Sequence, residues 1–435
     1  MGSGFVSLLG VIGAIGLLMV LIYKRIALIP ASLVGVLLLA VTGGYSFYDL
    51  SMNHYALFLA DFIAKYFMVF VTNSLFGEVM EETLLVSAFS RMVGRLFGRR
   101  NAAWGALLVT AILSYGGISV FVIVFTVYPI FLATFRQADL PRKLIPAGII
   151  SASCTAPLSM IPGGAQLNNI IPAQYMGTSP MAAPLVSMAA SLVTVAFIFF
   201  YFHHAFARAR ARGEHFTVEG DIRERIEAFE REPGIAGWVS ILPMALIILL
   251  INGWNVDLSY AVLAGTGLAV LLGRKNLPNL RDTLNRGVAK VGTATVVTAV
   301  SVGFGGAVLA CDGARTILDT IAALPVNPIV SLSLAASFAG VLTGNGGGGC
   351  DVAMNILAQQ YLGMGVQPEI LHRVVAIATA GFSCLPHNGM LLTVSDTCGF
   401  AAKDSYPYIF GSTILSSLLG LVVTVGPGML LYPVA

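Results

Sequence analysis

The polar side chains of this sequence that could hold a ligand fall in four glycine- and proline-bearing stretches inside long apolar runs. Gly381-Phe-Ser-Cys-Leu-Pro-His-Asn-Gly389 interrupts Val374–Cys398, a region that would otherwise read as one continuous helix. Proline removes a backbone donor and clashes with the preceding turn, and glycine favours an open loop. The other three are Ser114–Ser119, Ser153–Ala165 and Thr343–Asp351. Each break leaves helix ends with unpaired backbone N–H groups, and glycine lets a ligand approach that backbone. Helix N-termini favour an anion, and none of the four stretches contains Arg or Lys. The chemistry this suits is recognition of a carboxylate by backbone N–H groups, hydroxyls and side-chain amides. The candidate contacts are Ser114, Gly116, Gly117, Ser119, Thr155, Ser159, Gly163, Gln166, Asn168, Asn169, Asn345, Gly346, Gly347, His387 and Asn388. The competing reading is that small residues here only permit close helix packing.

Ionisable residues inside apolar segments are candidates for ion coupling. Glu78, Glu81 and Glu82 form one cluster, with Glu78 and Glu82 four apart on one helical face. Asp351 abuts the second glycine-rich stretch, and His387 sits in the break itself. Histidine exchanges a proton near neutral pH, which suits a proton-coupled carrier. Against that, His387 could simply hold the broken backbone, and the Glu cluster could be a structural pair or lie at headgroup level. Cys350 with Asp351 is too little for a metal site. Neither a metal nor an organic cofactor is expected; the coupling ion would be a proton, with sodium as the alternative.

The elements that must position these residues follow from composition and charge. Hydrophobic residues are 57% of 435 and charged residues 10%, too few charges to cover a soluble globule, so the class is an all-α polytopic membrane protein. The five cysteines lie in apolar or glycine-rich stretches and read as packing residues. Phe5–Tyr23 lacks the basic lead and cleavage site of a signal peptide and reads as a retained first helix. Lys24-Arg25 places the first joint in the cytoplasm and the N-terminus outside. The basic residues Arg91, Arg95, Arg99, Arg100, Arg136, Arg142 and Lys143 flank residues 102–135 on both sides, which favours a re-entrant hairpin over a single crossing.

The expected plan is therefore a first repeat over 1–203, with its hairpin at about 102–135 and a broken helix at about 144–175. A cytoplasmic linker at 204–236 leads to a second repeat over 237–435, with its hairpin at about 327–364 and a broken helix at about 368–399. An odd number of crossings per half makes the two repeats inverted in topology. Inverted repeats with paired broken segments are the signature of a secondary transporter whose site lies where the breaks meet.

Tyr115-Gly-Gly-Ile-Ser-Val-Phe121, Tyr128-Pro129, Pro141-Arg-Lys-Leu-Ile-Pro146, Pro162-Gly-Gly-Ala-Gln-Leu-Asn-Asn-Ile-Ile-Pro172 and Gly177-Thr-Ser-Pro-Met-Ala-Ala-Pro184 carry a family resemblance. With Leu371-His-Arg373 and Leu385-Pro-His-Asn-Gly389, they resemble the gluconate permease family, in order and over most of the chain. The spacing looks closer to the branch associated with short hydroxy acids such as 3-hydroxybutyrate. The resemblance implies a proton symporter of the ion-transporter superfamily, importing a small organic anion across a bacterial inner membrane, elevator-type and homodimeric. No nucleic-acid partner is expected, and lipid is the surrounding medium. Two stretches depart from that branch. Asn345 and four glycines replace a serine-rich tip, and Ala-Pro-Leu-Ser-Met-Ile-Pro162 replaces a threonine-rich run. Asp351 beside a carboxylate site would repel the anion unless protonated or matched by a cation, which leaves sodium coupling, or a substrate bearing an amine, open. Export, and a channel, are the other readings; a channel would need a continuous polar path where the sequence has discrete breaks.

Overall fold

The computed structural model describes residues 2–218, 222–231, 236–277 and 279–434. The parts of the expected linker at 219–221 and 232–235 lie outside the described residues, as do the side chains of Arg95, Arg99 and Arg100. Among the described residues every regular element is helical. Seven helices among the described residues are long and apolar enough to cross a membrane, and several further apolar helices are shorter.

The first half runs α1 (Gly2–Tyr23), α2 (Leu28–Gly43), a π-helical turn (Asp49–Ala56) continuing into α3 (Leu57–Glu82), and α4 (Leu85–Tyr115). α3 and α4 are separated at Leu84, whose φ of 59° is left-handed. α4 itself breaks at Gly98, where φ is 66° and ψ 172°, so its second part, from Asn101, forms one limb of the first hairpin. The other limb is α5 (Val120–Ala138). α6 (Ile145–Ser153), a π-helical turn (Ala156–Met160) and α7 (Leu167–Met176) make the first broken helix, and α8 (Pro184–Ala211) closes the half. α9 (Ile222–Arg231) lies in the linker.

The second half repeats the order. It has α10 (Ile241–Trp254), α11 (Leu258–Gly273), a long α12 (Leu280–Leu309) and α13 (Asp312–Ala322). Its hairpin is α14 (Pro328–Thr343) and α15 (Gly346–Gly363), and its broken helix α16 (Pro368–Ala380) and α17 (Gly389–Thr397). α18 (Ala402–Ile409), a π-helical turn (Phe410–Leu415) and α19 (Ser416–Leu431) end the chain. The local chemistry sets these boundaries. Asn or Asp caps the N-termini of α11, α12, α14, α15 and α17, proline opens α8, α14 and α16, and left-handed glycines end α2, α7 and α14.

α3 and α12 form the centre and run antiparallel. Phe58, near the start of α3, lies against Gly306, near the end of α12, and Leu75, near the end of α3, against Gly287, near the start of α12. A Cβ on Gly303 would stand 2.7 Å from the Tyr55 carbonyl oxygen, so glycine is what allows this approach. Ser74 Oγ donates to the Gly287 carbonyl at 2.8 Å, adding a polar tie between the two helices. α8 packs on α19, each at the end of its half. All five cysteines are buried free thiols, as packing residues would be.

Candidate functional site

Four helix N-termini converge on one cleft of about 100 Å³. Ser119–Phe121 open α5, Gln166–Asn168 open α7, Asn345–Gly347 open α15, and Asn388 with Met390 open α17. Ser114 at the end of α4, Ser153 and Cys154 at the end of α6, and Ser383 after α16 complete the polar wall. Phe70 of α3, Leu158, Leu167 and Met390 supply an apolar wall, and Thr298 comes from the middle of α12. The first backbone N–H groups of a helix have no intrahelical partner, so the cleft concentrates donors from four dipoles. No charged side chain lines it among the described residues.

The loop geometry holds these termini open. Asn345 Oδ1 accepts from Gly348 N–H at 2.9 Å, and its Nδ2 donates to Thr298 Oγ1 at 3.3 Å. Asn388 Oδ1 accepts from Met390 N–H at 2.8 Å, while its Nδ2 donates to the Ser383 carbonyl. Gln166 Nε2 bridges the first hairpin, donating to the carbonyls of Ser114 and, at 3.3 Å, Ile118. Asn168 Nδ2 donates at 3.2 Å to the Gly346 carbonyl and to Thr379 Oγ1, joining the first broken helix to the second hairpin. Two buried polar atoms on this wall, Asn168 Oδ1 and Ser383 Oγ, have no partner. Both flank Gly346: a Cβ there would overlap Ser383 Oγ and lie 3.1 Å from Asn168 Oδ1.

Of the residues expected from sequence, Ser114, Ser119, Gln166, Asn168, Asn345, Gly346, Gly347 and Asn388 line the cleft. Several others do not, each for a local reason. Gly116 packs against Met244 and Gly117 against Ala165. Thr155 donates to the Ser151 carbonyl and faces a separate, apolar cavity beside α8. Gly163 joins the 177–183 segment through the Pro180 carbonyl and accepts from Asn252. Ser159 and Asn169 accept, through the Ser159 carbonyl and Asn169 Oδ1, from the guanidinium of Arg373, at 2.6 and 2.7 Å.

The expected ion-coupling residues are also redistributed. The His387 ring packs on Gly344 at the back of the second hairpin tip, and neither nitrogen makes a well-formed hydrogen bond. Glu78 is buried between Arg286, at 2.9 Å, and Lys290, at 2.6 Å, and Glu82 meets Arg286 at 2.7 Å. These two carboxylates form an ion-pair cluster joining α3 to α12, outside the cleft. Asp351 points away from the cleft and accepts from Tyr66 and Tyr175, both at 3.0 Å.

A neighbouring cavity could admit a ligand to the cleft. A vestibule of about 380 Å³ shares Phe70, Ser119, Phe121, Gln166 and Leu167 with it. The vestibule extends to Asn73, Ser74 and Lys290, the same end of α3 as the glutamates. Sequence reasoning missed Thr298, Phe70, Ser153, Cys154 and Ser383 as lining residues. The repeated Ser-Cys dipeptide at 153–154 and 383–384, one in each break, was the available signal for three of them.

No known family profile matches the chain. It is 27% identical to the uncharacterized transporter YxjC of Bacillus subtilis (strain 168), over 82% of this chain and 85% of the relative. Its fold is similar to that of the YdaH transporter of Alcanivorax borkumensis, with a TM-score of 0.56 at 15% identity, over 86% of this chain and 89% of that one. MtrF of Neisseria gonorrhoeae, described as illuminating a class of antimetabolite efflux pumps, is similar at a TM-score of 0.51 and 15% identity, over 81% and 80%. The chain is a multi-pass, all-helical membrane protein with a fold shared by solved transporters.

Proposed function

We propose that this protein is a secondary active transporter for a short organic carboxylate, built as two inverted repeats and working by alternating access of the gluconate-permease type. The observation that carries the reading is the convergence of four helix N-termini, without any charged side chain, on one small cleft. The substrate carboxylate takes the backbone N–H groups of α5, α7, α15 and α17. Asn168 Oδ1 and Ser383 Oγ, buried and unpartnered, suit a hydroxyl on the same substrate. The apolar wall of Phe70, Leu158 and Met390 takes a short alkyl chain. At about 100 Å³ the cleft is well below the several hundred cubic ångströms of pockets for larger ligands, which favours a short hydroxy acid over a six-carbon sugar acid.

Two further observations support the mechanism. α3 and α12, at matching places in the two halves, run antiparallel, as inverted repeats require. With Lys24-Arg25 and Arg274-Lys275 taken as cytoplasmic, the vestibule reaches Lys290 in the part of α12 that follows Arg274-Lys275, which supports an inward-facing reading. Proton symport is the coupling we favour, since among the described residues no carboxylate lines the cleft to hold sodium, and import is the direction we propose with it.

The test is thermal stabilisation of purified protein across a panel of short carboxylates and hydroxy acids, with sodium and pH varied. A ligand that binds the folded state raises its apparent stability by mass action. The expected result is a shift with short hydroxy acids that depends on pH and not on sodium. A shift that requires sodium would replace proton coupling, and no shift with any carboxylate would overturn the substrate class.

A further inference from the structure

Asp351 is an acidic group that the substrate cleft leaves unused. It is 1% exposed and lies on α15, one turn beyond the Asn345–Gly347 tip that lines the cleft. Its partners are all uncharged. Tyr66 of α3 and Tyr175 of α7 donate to Oδ1 at 3.0 Å, and Asn355 Nδ2 donates to Oδ2 at 3.4 Å. A buried carboxylate with no cation in contact is costly in a membrane interior, and taking up a proton relieves that cost.

A path connects it to the surface. Lys65 Nζ donates to the Tyr175 hydroxyl at 3.2 Å and pairs with Asp61 at 2.6 Å. Asp61 and Lys65 are exposed, with 55% and 37% of their side-chain surfaces accessible. The donors run in one direction: ammonium to phenol oxygen, phenol to carboxylate. Tyr175 is at the end of α7 distant from the cleft, and Lys290 marks the vestibule at the opposite end of α3 from Lys65. The path and the vestibule therefore open towards different ends of the central helix pair.

The other elements packed on α15 bring nothing that competes. α14 carries no charged side chain, and the charged residues of α12 are confined to Arg281–Lys290, with Arg286 and Lys290 bound to the α3 glutamates. On α16, Glu369 is exposed, His372 Nδ1 meets Thr178 Oγ1 at 2.8 Å, and Arg373 is bound to carbonyls and Asn169. Cys350 is the neutral neighbour in sequence.

Resting on the transporter reading above, we propose that Asp351 is the coupling-proton site, loaded through Lys65 and Tyr175, and that its proton controls the hold between hairpin helix α15 and central helix α3. In the loading step the Tyr175 O–H bond breaks as the Asp351 O–H bond forms. Lys65 returns a proton to the phenol oxygen and is itself recharged from hydronium at the Asp61 surface. Protonated Asp351 accepts less strongly from Tyr66, which loosens α15 from α3. The glycine-rich tip is on the same helix, so loading is felt at the cleft.

Infrared difference spectroscopy of the purified full-length protein reads this site without any substrate. As pH is stepped across neutrality, wild type is expected to show the carbonyl stretch of a buried carboxylic acid, and Asp351→Asn to lose it. Tyr175→Phe should keep the band but slow its appearance after a pH jump. In proteoliposomes Asp351→Asn should retain exchange of labelled for unlabelled acid while accumulation driven by a pH gradient falls to the equilibrium level. No titrating band assignable to Asp351, or undiminished gradient-driven accumulation in Asp351→Asn, would overturn the proposal. A titrating band in a protein that moves none of the acids would overturn the carboxylate reading and leave the proton site standing.

Discussion

Side-chain direction is what the residues of this site turn on. A break places a polar residue near the site, but which way it points depends on the loop's own geometry. Asn388 and His387 are neighbours in sequence; the first caps α17 at the cleft, and the second turns to pack on Gly344. The glycines divide likewise, Gly346 and Gly347 facing the cleft and Gly116 and Gly117 packing on neighbours. Sequence therefore located the stretches and eight of the residues that line the cleft. It could not find Thr298 and Phe70, which sit in unbroken helices with no local irregularity. Gly346→Ala tests the cleft at this scale, because the added methyl collides with Ser383 Oγ and crowds Asn168 Oδ1. Affinity for the carboxylate should fall at least about tenfold, or ~1.4 kcal/mol, measured by calorimetry on folded protein. Unchanged affinity would show that the substrate does not occupy this wall.

The broken helices are held by ties that sequence motifs marked without explaining. Arg373, in the Leu371-His-Arg373 motif, is fully buried and satisfies its guanidinium on the carbonyls of Ser159, Pro180 and Ala182 and on Asn169 Oδ1. It fastens α16 of one half to the break of the other. Arg373→Met leaves these acceptors buried without donors, and a loss of about 3–5 kcal/mol is expected, read as a large drop in thermal midpoint. A near-wild-type midpoint would mean that the segment finds other donors. The linker has its own tie, at the foot of the first hairpin. Lys143 meets Glu214 at 2.8 Å, and Asp139 accepts from Phe216 N–H and from His215. The Phe216 N–H first, then His215, holds the Asp139 carboxyl below its usual range. Its contribution is thus complete above the unfolded carboxylate range and lost as pH falls through the depressed folded value. Proteolysis within 208–218 should accelerate only in that acid range in wild type, and at neutral pH in Asp139→Ala; equal neutral rates would dismiss the tie.

At the scale of the whole molecule, the order of elements was legible because charge and breaks repeat: two helices, a long helix, a hairpin, a broken helix and a closing helix in each half. The cuts at Leu84 and Gly98 were not legible, since the flanking sequence is as helical as its neighbours and only the backbone angles reveal them. Alternating access requires the hairpins and broken helices to move against α3 and α12. α5 lies on α3 where Val122 Cβ is 3.1 Å from the place a Gly77 Cβ would occupy, so a small separation of the two helices brings the pair to the roughly 3.8 Å of a disulfide. The most direct measurement is exchange of labelled short hydroxy acid in proteoliposomes carrying Gly77→Cys with Val122→Cys, oxidised and then reduced. The account predicts that the oxidised, folded protein still binds the acid but exchanges none, and that reduction restores exchange. Full exchange in the cross-linked protein would contradict movement of the first hairpin against the central helices, and with it the proposed mechanism.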